Sequence, residues 1–244
     1  MSFQLSRRSL LAVVASSILS ACTQVPKPGL EPNAADKTSK HVITPPEKAP
    51  IELERKDEPA RKLDYAQIYG PVKDEGYDVP GVQFDAIKPE FLRQEVAYAT
   101  NEPAYSIVVD TQKMFLYWVL PGGKAIRYGV GLGAQGRAWK GRAVVHWKRK
   151  WPRWTVPDDM VARQPHLKKY GIEAGGMDPG LSNPLGARAM YIFQDGQDTL
   201  YRIHGSPQWR SIGKNASAGC VRMLQQDAID LYNRVRGKTP LLVI

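Results

Sequence analysis

Cysteine is nearly absent from this chain of 244 residues: there are two, Cys22 and Cys220. Two cysteines are too few for the disulfide framework that holds small secreted domains together. Histidine is scarce too, with His41, His146, His166 and His204. The first three stand at no metal-ligand spacing from one another or from acids, and read as surface or structural histidines. No metal and no cofactor are therefore expected. Long apolar runs are missing as well. The run Leu10 to Leu19 near the N-terminus is too short for a comfortable membrane span. Acids are under-represented, 24 against 34 Lys and Arg, for a formal charge of +10. That balance agrees with an acidic polymer as partner but does not demand one.

What is present begins with a targeting segment, residues 1–22. Ser6-Arg7-Arg8-Ser9-Leu10-Leu11 is a twin-arginine pattern, and the apolar run after it ends in Leu19-Ser20-Ala21-Cys22, which resembles a bacterial lipobox. The resemblance implies cleavage before Cys22, lipidation of its sulfur and a membrane anchor. The alternative is an ordinary export signal cut near Ala21. Either way the chain is expected outside the cytoplasm, in the periplasm or cell envelope. Residues 23–64 are rich in Pro, Lys, Glu and small polar types and cannot bury enough surface to offset chain entropy, so a disordered tether is expected. With Cys22 lipidated or removed, Cys220 has no partner in an oxidising compartment. A lone thiol there is either reactive by purpose or a liability.

Residues 65–104 read as a lead-in segment packed on the main domain. Tyr69-Gly70-Pro71 and Val79-Pro80-Gly81 mark turns, and Pro89 to Val96 reads as a short helix with proline near its start. Residues 105–244 read as strands. Tyr105–Asp110 and Lys113–Val119 form a hairpin signal, and Lys124–Leu132 follows the turn Pro121-Gly122-Gly123. Arg142–Lys148, Ala189–Gln194, Thr199–His204 and a closing Leu241–Ile244 are further strands. Leu224, Ala228, Leu231, Tyr232 and Val235 recur at helical spacing, and Gly237 is expected to end that helix. The sum is a mainly β domain, a two-sheet sandwich or flattened barrel with one or two helices.

The stretch from His204 to Met223 concentrates the chemistry. It holds a histidine, the only cysteine outside the leader, Ser217 three residues before that cysteine, and Arg222 two after it. A thiol nucleophile needs a base within hydrogen-bond reach and donors aimed at a developing oxyanion. Cys220 would attack a carbonyl carbon, while His204 takes its proton and later returns one to a leaving amine. Gly219 allows a tight turn, so that main-chain N–H groups near Cys220 converge on one spot. Gly205 lets a substrate or the facing loop come close to His204.

His204-Gly205, Ile212-Gly213 and Ser217-Ala218-Gly219-Cys220-Val221-Arg222-Met223 resemble the signature of the YkuD-type L,D-transpeptidases. The likeness extends loosely from about Tyr105 to Ile244, through Asn183-Pro184-Leu185-Gly186. It implies a YkuD-like fold and an enzyme that cross-links peptidoglycan, or attaches proteins to it, through a cysteine acyl-enzyme. Cys220 would be the nucleophile and His204 the base. His204 would be oriented by the carbonyl of Gly205 or Ser206, and Arg222 would hold a substrate carboxylate or shape the site. The expected reaction is attack on the meso-diaminopimelate–D-Ala bond of a tetrapeptide stem, release of D-Ala and transfer to an amine. The same residues would serve an L,D-carboxypeptidase or amidase, and a catalytically inactive cell-wall-binding module would keep the same fold.

Two stretches remain. Gln135 to Pro157 carries seven Lys or Arg and no acid, interleaved with Trp139, Trp147, Trp151 and Trp154. It reads either as a surface attracting stem carboxylates or as a solvated basic strand whose tryptophans enter the core. A nucleic-acid partner is not expected of an exported protein. Pro165 to Arg188, rich in Gly and Pro, is too long for a simple turn and is a candidate lid or substrate loop.

Overall fold

The computed structural model describes residues 63–133, 139–215 and 220–244. The targeting segment and nearly all of the expected tether lie outside the described residues, as do 134–138 and 216–219.

The lead-in opens with a single helical turn, α1 (Tyr65–Ile68), capped by the Asp64 side chain accepting the Gln67 N–H. A hairpin, β1 (Val72–Asp74) and β2 (Tyr77–Val79), follows, and β3 (Gln94–Ala97) comes next. The main run holds β4 (Ile107–Asp110), β5 (Phe115–Leu120), β6 (Lys124–Gly129), β7 (Gly131–Leu132) and β8 (Gly141–Lys150). A short helix, α2 (Asp158–Arg163), precedes β9 (Arg188–Gln194), β10 (Gln197–Gly205) and β11 (Val221–Met223). Helix α3 (Gln225–Arg234) and β12 (Thr239–Val243) close the chain.

Ten of these strands form one sheet in the order β3-β6-β5-β4-β12-β8-β9-β10-β11-β7. β6 is second from one edge and β7 is the other edge, yet only Val130 separates them in the chain. A single residue cannot bridge the width of an open ten-stranded sheet, so the sheet must curl until its edges meet. Hence the fold is mainly β and barrel-like, with its two facing halves belonging to one continuous ladder. Leu116, Trp118 and Tyr128 from one side share a core with Met190, Ile203, Val221 and Met223 from the other. The expected helical stripe fills that core with Ala228, Leu231 and Val235.

Three local expectations give way to tertiary context. Pro89 starts only a 3-10 turn, Pro89–Phe91, and the chain then extends as β3. Gln94–Ala97 pairs in register with Lys124–Arg127, and this edge pairing satisfies main-chain groups that a helix would have used locally. Helix α3 ends at Arg234, before Gly237, because Val235 turns to extended backbone and buries in the core. Lys124–Leu132 is two strands rather than one.

The first turn of α3 is polar yet buried. Gln226 Nε2 donates to the Gly70 and Pro80 carbonyls at 3.0 Å each. Asp227 accepts the Tyr69 hydroxyl at 3.3 Å and faces Arg93 at 3.6 Å. The lead-in is thus socketed into the end of a core helix. In the described part of the Gln135–Pro157 stretch, most cations are engaged within the protein, several of them in surface ion pairs. Arg142 pairs with Glu102, Lys150 with Glu75 and Arg153 with Asp178, while Lys148 donates to the Tyr232 and Val235 carbonyls. Trp147 stacks on Tyr191, and the Trp151 N–H reaches Asp74 at 2.8 Å. This favours the structural reading of those tryptophans and cations.

Burial pushes the Asp227 carboxyl up to about 7; Asp230 adds to the rise, while Arg93 and Tyr69 oppose it. A carboxyl with a raised folded pKa binds protons more tightly folded than unfolded. Its contribution is full at low pH and is lost as pH rises through about 7. Asp227→Asn should therefore gain stability relative to the parent between pH 5 and 8, by on the order of 1–2 kcal/mol in denaturant titrations.

Candidate active site

The site is built on one pair of strands. β10 and β11 run parallel, with Ile203 opposite Val221, His204 opposite Arg222 and Gly205 opposite Met223. Facing residues in a ladder share a side of the sheet, and side chains alternate along each strand. Ile203, Val221 and Met223 point into the core. His204 and Arg222 therefore point the other way, together with Arg202. Cys220, immediately before β11, continues that alternation. His204, Cys220 and Arg222 all line one cavity of about 220 Å³.

The roof comes from the long connection between β8 and β9. Trp154, Met160, Gln164 and Leu167 cover the cavity, and Pro184 and Leu185 close one wall. The expected lid loop from Pro165 to Arg188 is part of this cover, which also recruits α2 and Trp154. Its base is tied by the Trp151 N–H to the Ala187 carbonyl at 2.8 Å. Asn183 is fully buried; its Nδ2 donates to the Pro152, Met177 and Asp178 carbonyls, and its Oδ1 accepts the Leu185 N–H.

His204 is buried at the end of β10, 3% exposed. Its Nδ1 lies 2.6 Å from the Gly205 carbonyl oxygen. A carbonyl only accepts, so Nδ1 carries the proton and donates, which leaves the Nε2 lone pair for another partner. The Pro184 carbonyl also acts on the ring. Burial pulls the His204 pKa down to about 4, the Gly205 and Pro184 carbonyls opposing and the Arg222 and Arg202 cations assisting. The imidazole is neutral near pH 7.

Cys220 is a free thiol, half-buried. Burial pushes it up from its ordinary range, against the Arg202 main-chain N–H and the charges of Arg202 and Arg222. Burial thus disfavours the charged form of each group, which favours a neutral thiol beside a neutral imidazole at rest. Arg222 Nη1 donates to Gln208 Oε1 at 2.9 Å, which aims the guanidinium along the cavity. Ser206 is buried beside His204, its Oγ accepting the Gln208 N–H at 3.2 Å. Ser217, Gly219 and Cys22 lie outside the described residues.

A methyl on Gly205 would meet the Gln225 amide, and Gly186 of the facing connection lies against the Gly205 peptide, so the bare backbone here admits the facing loop. Arg202, Gln208 and Gln225 were not singled out from the sequence. Arg202 had a visible signal: it stands two residues before His204 on an alternating strand, hence on the same face. Its guanidinium is held by Asp198 at 2.6 and 2.8 Å and lies 4.3 Å over the Tyr191 ring. Among the described residues, no three His, Cys, Asp or Glu side chains gather as a metal site requires. His146 is exposed and stacks on Phe193, and His166 is exposed on the cover.

The family model of the YkuD L,D-transpeptidase catalytic domain matches residues 104–243. The chain belongs to the YkuD family. Among curated YkuD relatives, the probable L,D-transpeptidase YcfS of Escherichia coli K12 is 31% identical over 149 residues, covering 59% of this chain and 45% of YcfS. The probable L,D-transpeptidase ErfK/SrfK of the same organism is 30% identical over 141 residues, covering 57% and 43%. The chain thus spans less than half the length of either relative. A Brucella melitensis crystal structure, described as a probable carnitine operon oxidoreductase, shares 44% identity over 63% of this chain and 94% of its own, with a TM-score of 0.45.

The neutral resting pair of this YkuD site has a kinetic consequence. Alkylation of Cys220 by iodoacetamide should climb steadily from pH 5 to 8, because the thiolate is formed only above the ordinary thiol range. A rate that is flat across that window would instead indicate a standing thiolate–imidazolium pair.

Proposed function

We propose that this protein is a peptidoglycan L,D-transpeptidase working through Cys220. One observation carries the reading: a histidine with Nδ1 held on the Gly205 carbonyl shares a covered cavity with a free thiol and an arginine. In the proposed cycle, the donor stem lies with the carbonyl of meso-diaminopimelate at Cys220 and a carboxylate on Arg222. His204 Nε2 takes the thiol proton as Sγ attacks the carbonyl carbon. The main-chain N–H of Cys220 contributes to receiving the oxyanion. Collapse breaks the C–N bond, the proton passes from His204 to the amine, and D-Ala leaves. A second amine then attacks the thioester, returns a proton to His204 and releases the thiol.

The apolar cover supports this reading because it limits water at the thioester, as transfer over hydrolysis requires. Lipidation of Cys22 and an envelope location complete the proposal, placing the domain on a tether near its polymer.

Incubation with tetrapeptide muropeptides should yield cross-linked dimers and free D-Ala. Monomeric tripeptides alone would identify a hydrolase on the same fold. Cys220→Ala should show no mass adduct with a carbapenem, and His204→Ala should slow acylation by roughly 10²–10⁴-fold. A full-extent adduct on Cys220→Ala would overturn the assignment of the nucleophile.

A further inference from the structure

Gln225 opens helix α3, where a polar residue ordinarily faces water, yet it is 7% exposed. Its Oε1 accepts the Ala187 N–H at 2.9 Å. Its amide fills the space in front of two glycines: a methyl on Gly186 or on Gly205 would strike it. A methyl on Gly186 would also come within 2.8 Å of the Gly205 carbonyl carbon, so the two peptides lie against each other. Gly186 has a φ of 61°, a left-handed turn that brings the end of the cover down onto β10.

Both carbonyls that act on His204 belong to these two segments. Gly205 supplies the acceptor at Nδ1, and Pro184, two residues before Gly186, supplies the other. Asn183 fixes Pro184 from the far side through its four hydrogen bonds. Gln225 touches both the Gly186–Ala187 end of the cover and Gly205 with one polar group. We propose that Gln225 is a positioning residue for the reaction: by wedging its amide between Gly186 and Gly205, it holds the Gly205 carbonyl on Nδ1 and so keeps Nε2 free to accept the Cys220 proton. The inference rests on His204 being the general base.

A wrong tautomer would present an N–H to the thiol and stop proton transfer without emptying the cavity. The test uses Gln225→Met, which keeps length and loses the acceptor, and Gln225→Glu, which keeps an oxygen for the Ala187 N–H. Imidazole 15N shifts of His204 are read on substrate-free protein, and carbapenem acylation is read alongside. The expected result for Gln225→Met is a mixed His204 tautomer and an acylation rate constant at least about tenfold lower, with half-saturation within about twofold. Gln225→Glu should keep the Nδ1–H tautomer and most of the rate. A single Nδ1–H tautomer with an unchanged rate in Gln225→Met would overturn the proposal. Should Gln225→Met fail to fold, loss of that tautomer in folded Gln225→Glu would overturn it equally. Failure of the base assignment would appear elsewhere, as full acylation by His204→Ala, and leaves the tautomer measurement readable.

Discussion

The parallel pairing of β10 with β11 is the constraint on which the site depends. It sets His204 opposite Arg222 and lets the alternation of both strands deliver Cys220, His204 and Arg222 to one side. A slip of one residue would turn every side chain over, sending Cys220 toward the core and Val221 into the cavity. Parallel neighbours cannot be joined by a tight turn. The chain spends residues 206–220 on the return, and that connection carries Gln208 and ends at Cys220. Its Ile212 is anchored among Tyr69, Ile87, Leu92 and Leu224, so the lead-in and the helix together hold the connection in place.

A second long connection, between β8 and β9, supplies what the strands cannot. Residues 152–186 leave the sheet and return to it between Trp151 and Ala187. They lay Trp154, Met160 and Leu167 over the polar floor. This explains the opposing displacements of the two titratable groups. Removing water disfavours both charged forms, so the imidazole falls and the thiol rises. Burial therefore works against an ion pair at rest. Charge separation belongs to the moment when a carbonyl is present, in surroundings where each fixed dipole acts strongly.

Residue type made the reactive centre legible: an unpaired thiol, one histidine, an arginine and flanking glycines within twenty positions. Alternation likewise revealed most of the strands, and the stripe from Leu224 to Val235 revealed the helix. What escaped was decided by neighbours distant in sequence. Lys124–Leu132 reads as one run after a turn, and nothing local shows that Gly129 and Gly131 belong to strands at opposite ends of the sheet order. Gln225, Gln226 and Asp227 look like a solvated helix start, but each is buried and matched to a partner from another segment. Gly205 reads as room for a substrate or a facing loop, and local sequence does not show that Gln225, twenty residues on, and Gly186 are the groups packed against it.

The socket between the lead-in and α3 also bears on what counts as one self-sufficient unit. The span shared with the family starts at residue 104, beyond β3 and Arg93. A truncation there would bare the hydrogen-bonding edge of β6 and strip the Tyr69 hydroxyl and the Arg93 guanidinium from Asp227. The cleft and these upstream residues therefore belong to one folding unit, and a fragment meant to stand alone needs the lead-in that carries Tyr69, Arg93 and β3.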